Sequence, residues 1–300
     1  MKRLLACALA LILLFALGCG KSPKKVLSDA YKKLDAAESL HMETEIRFRV
    51  HGGDADGNPN DSQNMSMTMR MPTDMHKPTQ TMQLGESIVY STGEALTQSP
   101  LEFQLRVYRE GDERCCAVTM DGETWYKTPS VESVIKERWD LSKEIDFFFE
   151  MGELFKRTGT EEIDGAAVTM YEGTLDSESM KALLNRFTAG PSGTPMVTLR
   201  EDLWAEMPGV PVRIAIDRDG YPVLIEADAA SFVQKLMEQL LGGLMQQSAE
   251  TVAFDELLIS VRYSRFNAVE PIAAPENVSE ELMDGISGLI TPGLLSPFGF

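Results

Sequence analysis

Hydrophobic and polar residues alternate with a period of two along much of the chain, and that period is its strongest structural signal. From Met42 onward, Ile46, Phe48 and Val50 alternate with Glu45, Arg47 and Arg49. A strand with this pattern has one dry face and one wet face. Its expected partner is Asn64 to Met71, where Met65, Met67, Met69 and Met71 alternate with Ser66, Thr68 and Arg70. The intervening GGDADGNPND reads as a hairpin loop. The pattern returns in Leu101, Phe103, Leu105 and Val107, then in Cys116, Val118 and Met120, and after the Asp121-Gly122 turn in Thr124 to Tyr126. Later it marks Val210 to Ile216, Val223 and Ile225 beyond the Arg218-Asp219-Gly220 turn, and Leu257 to Tyr263. Short turns between consecutive strands predict an antiparallel sheet with one buried face.

Helical spacing interrupts the strands. Ser22-Pro23 has the form of an N-cap with proline in the first turn, and Val26, Leu27, Ala30, Tyr31, Leu34 and Ala37 predict a helix from Pro23 to Leu40. A second helix is expected over Lys143 to Lys156, apolar on more than one side through Phe147, Phe148 and Phe149. A third covers Ser177 to Phe187, capped by Asp176 or Ser177. The fourth, Ala229 to Gln247, carries two apolar stripes that include Phe232, Leu236 and Leu240. Helices that lie on membranes carry several Lys or Arg on the polar face, whereas here Lys235 stands alone beside Glu238, so a lid over the sheet is expected. No solenoid repeat and no dividing linker is visible, so one domain is expected over residues 25–278. An apolar tail, 279–300, ends in the charge-free ISGLITPGLLSPFGF, too short and broken to span a bilayer.

The N-terminus adds an address. Met1-Lys2-Arg3 precedes a charge-free apolar run, Leu4 to Leu17. At the helical rise this run is about 21 Å long, short of the roughly 30 Å hydrocarbon core. With small residues before Cys19, that is the layout of a cleaved signal, residues 1–18. Ala16-Leu17-Gly18-Cys19 resembles the lipobox of bacterial lipoproteins, although Ala16 stands where Leu is usual. The resemblance implies lipidation of Cys19, a short linker through residue 24, and a lipid-anchored body on the extracytoplasmic face of the cell membrane.

Charge and cysteine usage narrow the partners. The net charge is −18, and loss of Lys2 and Arg3 with the signal takes it to −20. Such a polyanion repels phosphate backbones, so nucleic acid is not an expected partner. A hydrophobic content of 43% rules out a chain disordered throughout. Beyond Cys19 the cysteines are Cys115 and Cys116, neighbours whose side chains point to opposite faces of a strand, so two small buried or half-buried hydrophobes are expected.

Candidate chemistry is sparse. The histidines, His41, His51 and His76, sit in no HExxH spacing, and there is no GxSxG, GxGxxG or P-loop. No enzyme activity and no cofactor is expected. The methionine strand has three readings. It packs as ordinary core under a helix; it lines a hydrophobic pocket; or its thioethers hold Cu(I), with His76 as the nearby nitrogen ligand. In the pocket reading, Met65, Met67, Met69 and Met71 share the lining with Phe48, Phe103, Leu105, Phe148, Phe232, Leu236 and Leu240. Residues two apart on a strand sit about 6.8 Å apart, which works against convergence on one ion. Asp54, Asp56 and Asn58 supply oxygens at alternate positions, as a calcium site wants, but the glycine falls at the fourth place and Met65 at the twelfth. A plain turn explains the same letters.

Three stretches carry a wider resemblance: Gly122 to Lys127, GETWYK; Val210 to Asp228, VPVRIAIDRDGYPVLIEAD; and Val261 to Val278, VRYSRFNAVEPIAAPENV. The second and third resemble the strand-Asp-turn-Pro-strand hairpin and the closing Tyr, aromatic-Asn, Ile, Pro segment of LolA/LppX-type bacterial lipoproteins. The first is similar to a Gly, Trp-Tyr-Lys strand of their Gram-positive relatives. The resemblance implies an α+β fold: a single antiparallel, strongly curved sheet, an incomplete β-barrel, with an N-terminal helix and lid helices over its concave face. It also implies a lipoprotein that binds a lipid or acyl chain between sheet and lids. No ligand contact is carried over by position. The alternative is an envelope scaffold or sensor that works through a protein partner with no ligand.

Overall fold

The computed structural model describes residues 21–53, 59–92, 96–97, 101–128, 150–187, 201–245 and 251–282. Ser22 caps helix α1 (Pro23–Ala36) by accepting the Lys25 N–H on its hydroxyl. The helix ends at Ala36, short of the expected Leu40, because Ala37 turns extended (φ −65°, ψ 130°) and Leu40 is drawn into the first strand. That strand is β1 (Ser39–Gly53), followed by β2 (Pro59–His76), β3 (Thr81–Thr92), β4 (Leu96–Thr97), β5 (Leu101–Glu110), β6 (Glu113–Thr119) and β7 (Trp125–Lys127). A 3-10 turn at Gly152–Leu154 leads into β8 (Lys156–Ile163) and β9 (Ala166–Leu175). The helix expected over 143–156 lies mostly outside the described residues, and it does not reach Lys156, which opens β8. Helices α2 (Ser177–Phe187) and α3 (Glu201–Trp204) precede β10 (Val210–Asp217) and β11 (Pro222–Asp228). Helix α4 (Ala230–Met245), β12 (Thr251–Ser264) and β13 (Val278–Leu282) complete the order.

Twelve strands lie side by side as β13-β7-β6-β5-β3-β2-β1-β12-β11-β10-β9-β8, and β4 adds to β3 off that path. The sheet is open and mixed, whereas the expectation was antiparallel throughout. The exception is β13, which pairs with β7 in parallel because the chain reaches that edge by a crossover rather than a hairpin. After β12 the crossing segment is stitched to strand ends as it passes. The Asn267 N–H donates to Ser39 O (2.7 Å), the Glu38 N–H to Asn267 Oδ1 (2.8 Å), and the Ile272 N–H to Thr81 Oγ1 (2.9 Å). Asn267 holds a left-handed backbone (φ 57°), which asparagine tolerates better than most residues. No helix among the described residues is long and apolar enough to cross a membrane.

Register gives the sheet two unlike faces. Ile46 lies between Met69 and Ile259, and Phe48 between Met67 and Leu257, so these residues share what we term the inner face. Opposite them, Arg70 binds Glu45 (2.8 Å) and Glu256 pairs with both Arg47 (3.4 Å) and Arg49 (3.0 Å). Exposed pairs of this kind contribute about 0–1 kcal/mol each, against roughly 1.5–3 kcal/mol for one buried apolar side chain. Inner-face burial therefore sets the register, and the ion pairs follow it. Cys115 and Cys116 obey the same alternation. Cys116 is in the main core, and Cys115 joins a small outer cluster with Tyr108, Ala117 and Trp125.

The helices lie on the inner side. Leu27, Tyr31 and Leu34 of α1 enter one core with Leu40, Met42, Met82 and Val261. Met180 and Leu183 of α2, Trp204 of α3 and Phe232 of α4 join that same core. Asp176 caps α2, accepting from Ser179 N (2.9 Å) and Ser179 Oγ (2.6 Å). The 3-10 turn approaches α1 so closely that a Cβ on Gly152 would stand 2.5 Å from Lys24 Cα. At the far edge, β8 is exposed along nearly its whole length and carries Lys156, Arg157, Glu161 and Glu162, charges that discourage further strand addition.

Gly152→Ala is expected to lower the unfolding free energy by about 1–3 kcal/mol in urea denaturation, since backbone must move to admit the methyl group. Asp176→Ala is expected to cost about 1 kcal/mol at neutral pH. The two hydrogen bonds from Ser179 hold the Asp176 carboxyl below its ordinary value. Its contribution is therefore present above the unfolded pKa and lost as pH falls through the folded one, so the difference from wild type should close in acid.

Candidate functional site

Burial on the inner face falls along β2 from one end of the strand to the other. At the end where β1 begins and α1 packs, Met75, Met82, Leu84 and Leu105 are fully buried. Along β2 toward the opposite end, Met71 is 2% exposed, Met69 7%, Met67 half-buried and Met65 37% exposed. Phe48, Ile88, Tyr90, Phe254 and Leu257, on the neighbouring strands at that end, are likewise half-buried. The Phe48 and Phe254 rings meet edge to face, with centroids 5.5 Å apart and planes at 72°.

Helix α4 is seated beside this patch by three contacts. The Ala229 N–H donates to Leu257 O (2.8 Å), and the Phe254 N–H donates to Gln234 Oε1 (2.9 Å). Phe232 packs on Trp204 with centroids 6.2 Å apart. Val233 and Leu236 then lie half-buried against the core. These half-buried residues of β1, β2, β3 and β12, with α4 packed against β12, form an apolar patch that we term the trough. Hydrocarbon laid in it gains about 0.8 kcal/mol for each CH₂ removed from water.

Of the residues expected to line a pocket, Met65, Met67 and Phe48 meet in this trough, with Leu236 at its helical wall. Met69, Met71, Phe103, Leu105 and Phe232 are instead buried in the core beneath it. Phe148 and the side chain of Leu240 lie outside the described residues, as do Cys19, Asp54, Asp56 and Asn58. His76 sits at the opposite end of β2 from Met65, with its Nδ1 bonded to Thr79 Oγ1 (2.7 Å).

A second feature was not anticipated from the sequence. Pro72, whose nitrogen carries no hydrogen, interrupts the β2–β3 ladder between the Arg70–Ser87 and Thr73–Leu84 pairs. Gly85 faces the proline, and a Cβ there would stand 3.2 Å from Pro72 Cγ. At this gap lies a cleft of about 310 Å³, lined by Glu43, Arg70, Gln83, Glu102 and Gln104 and reached also by Glu86 and Phe103. Charged and amide residues line it together with Pro72 and Phe103, and none of Met65, Met67, Met69 or Met71 does. The neighbour of Gly85, Glu86, falls in the register of Met82 and Leu84 and so belongs to the inner face, opposite Phe103 on β5. Burial pushes its carboxyl up. The available signal was a single carboxylate in the apolar register of Met82, Leu84, Ile88 and Tyr90.

No protein-family model matches the chain, and no curated protein matches it in sequence. Solved structures do. The chain is similar to mycobacterial lipoproteins of the LppX type. It matches LprF from Mycobacterium bovis at 12% identity over 86% of this chain and 97% of that one, with a TM-score of 0.44. It matches the Mycobacterium tuberculosis lipoprotein LppX at 15% identity over 84% and 98%, with a TM-score of 0.34. Identity this low and TM-scores below 0.5 leave the function to be read from this chain's own residues.

The burial gradient makes opposite demands on two methionines of one strand. Met71→Ala is expected to destabilise by about 2–5 kcal/mol, and Met65→Ala by less than about 1 kcal/mol, in parallel denaturant titrations.

Proposed function

We propose that this chain is an extracytoplasmic lipoprotein, tethered through a lipid on Cys19, that binds a lipid or acyl chain along its inner face. The observation that carries the reading is the continuation of apolar side chains past the filled core, where Phe48, Met65 and Met67 line a half-exposed trough beside α4. A structural core has no need of that extension, and flexible thioethers suit a guest of variable shape. In this reading the sheet curves into an incomplete barrel and α4, with α2 and α3 next to it, serves as the lid. Five or six side-chain contacts with an alkyl chain, each worth up to roughly 1.5–3 kcal/mol, would retain it without a covalent link. Binding and delivery, rather than catalysis, is the role proposed.

A filled-core scaffold or sensor is the second reading, favoured by the solid packing of Met71, Met82, Leu84 and Leu105. Lipid extraction and mass spectrometry of gently purified protein separates the two. The carrier reading expects co-purifying lipid and uptake of a fluorescent apolar probe. It also expects the double variant Met65→Ser, Met67→Ser to lose most of that uptake with little change in melting temperature. Protein that is reproducibly empty and takes up no probe would leave the scaffold. For the tether, Cys19→Ser is expected to move the protein from the membrane fraction to the soluble one, as read by fractionation.

A further inference from the structure

We propose that the exposed stripe running from Lys21 into α1 through Lys25 and Lys32 rests on the anionic phospholipid headgroups of the bilayer that holds the tether. The contact turns the inner side of the sheet toward that bilayer. This rests on the tether at Cys19 proposed above and goes beyond it, since a lipid chain alone fixes no orientation. Lys21 follows Cys19 by two positions, and two residues of extended chain span at most about 7 Å. The tether therefore holds the start of α1 at the headgroups.

Charge is unevenly placed along the chain. Lys2 and Arg3 leave with the signal, Gly20 to Ala37 holds five lysines and two aspartates, and from Glu38 onward 21 basic residues face 44 acidic ones. The segment next to the tether is thus +3 in a mature chain of −20, so anionic headgroups attract it and repel the remainder. Helix stability does not account for these lysines. The first turn of α1 holds Lys24 and Lys25 and no acid, although the helix dipole favours acid there.

Burial selects the stripe. Lys25 and Lys32 are exposed and about two turns apart, on the side opposite Leu27 and Leu34, which are sealed in the core. Because α1 packs on the inner side, its exposed stripe points away from the sheet. Lys24 is engaged elsewhere by Glu153 (3.2 Å), and Lys33 by Asp219 O and the Tyr221 ring. Within the stripe, Lys21 (2.8 Å) and Lys25 (3.4 Å) share the one carboxylate of Asp29, and exposed pairs of this kind are weak enough to yield to phosphate. Asp35, at the far end of the helix, is met by Lys77 (3.5 Å). Several lysines on the polar face are what α4 lacks and α1 has. The apolar side of α1 is taken up by the core, so its contact is with headgroups and not with acyl chains.

The test uses the full lipidated protein bound to the outside of preformed vesicles, of phosphatidylcholine alone or mixed with phosphatidylglycerol. Flotation with the phosphatidylcholine vesicles reports the tether by itself. Lysines are then acylated with an uncharged reagent and their rates read by mass spectrometry, with Lys127, on the outer face beside Ala117, as the reference. Lys21, Lys25 and Lys32 are expected to react about fivefold more slowly on the anionic vesicles, Lys127 at an unchanged rate, and high salt should remove the difference. In the Lys21→Gln, Lys25→Gln variant, Lys32 should return to within about twofold of its rate on phosphatidylcholine. Floating protein whose stripe reacts alike on both vesicles keeps the tether and overturns the docking. Equal slowing of Lys127, or Lys32 still protected in the variant, overturns it as well. Protein that does not float with phosphatidylcholine vesicles overturns the tether and the docking together.

Discussion

Because side chains alternate across a strand, slipping β2 by one residue against β1 would carry Met67, Met69 and Met71 into water and bring Arg70 and Asp74 into the core. That penalty locks the long central strands to one another. β1 is held from both sides, by β2 through Met69 and Met71 and by β12 through Ile259 and Val261. Once those three strands are in register, the ion pairs of Glu45, Arg70 and Glu256 form on the far face. The position of α4 against Leu257 and Phe254 follows from the same register. The trough is thus a by-product of the pairing that builds the core.

The alternating strands were legible because each has one wet side. Ile46 to Val50, Met65 to Met71 and Leu101 to Val107 announce themselves through Arg and Glu at every second place. The strands that escaped notice lack that contrast. In β3, glycine at 85 and a carboxylate at 86 break the run of apolar positions that Met82 and Leu84 begin. In β8, both faces are exposed, so nothing selects a period. The parallel docking of β13 depends on a chain path across the sheet, which no local window contains. The end of α1 was misplaced for a related reason: Ala37 and Leu40 continue the helical spacing, but Ala37 turns extended and Leu40 belongs to β1.

The candidate site was legible to the same degree. Met65, Met67 and Phe48 stand out as a methionine-rich dry face with an aromatic partner, and Leu236 as one position on a helical stripe. Their depth was not readable. Nothing in the letters separates Met65, at the exposed end, from Met71, which is sealed in the core by its neighbours on β1 and by the helices. Pro72 and Gly85 are informative only once they face each other, since neither alone marks a gap in the sheet.

β1 meets β12 across roughly 200 residues of intervening chain. A polypeptide made from its N-terminus onward must therefore expose the dry side of its first strands until nearly the last sixth of the molecule has appeared. During that interval Met69, Met71 and Leu105 are attractive to any passing hydrophobe, including another unfinished copy. Fewer encounters between unfinished copies, before the final strands arrive, should therefore favour correct folding.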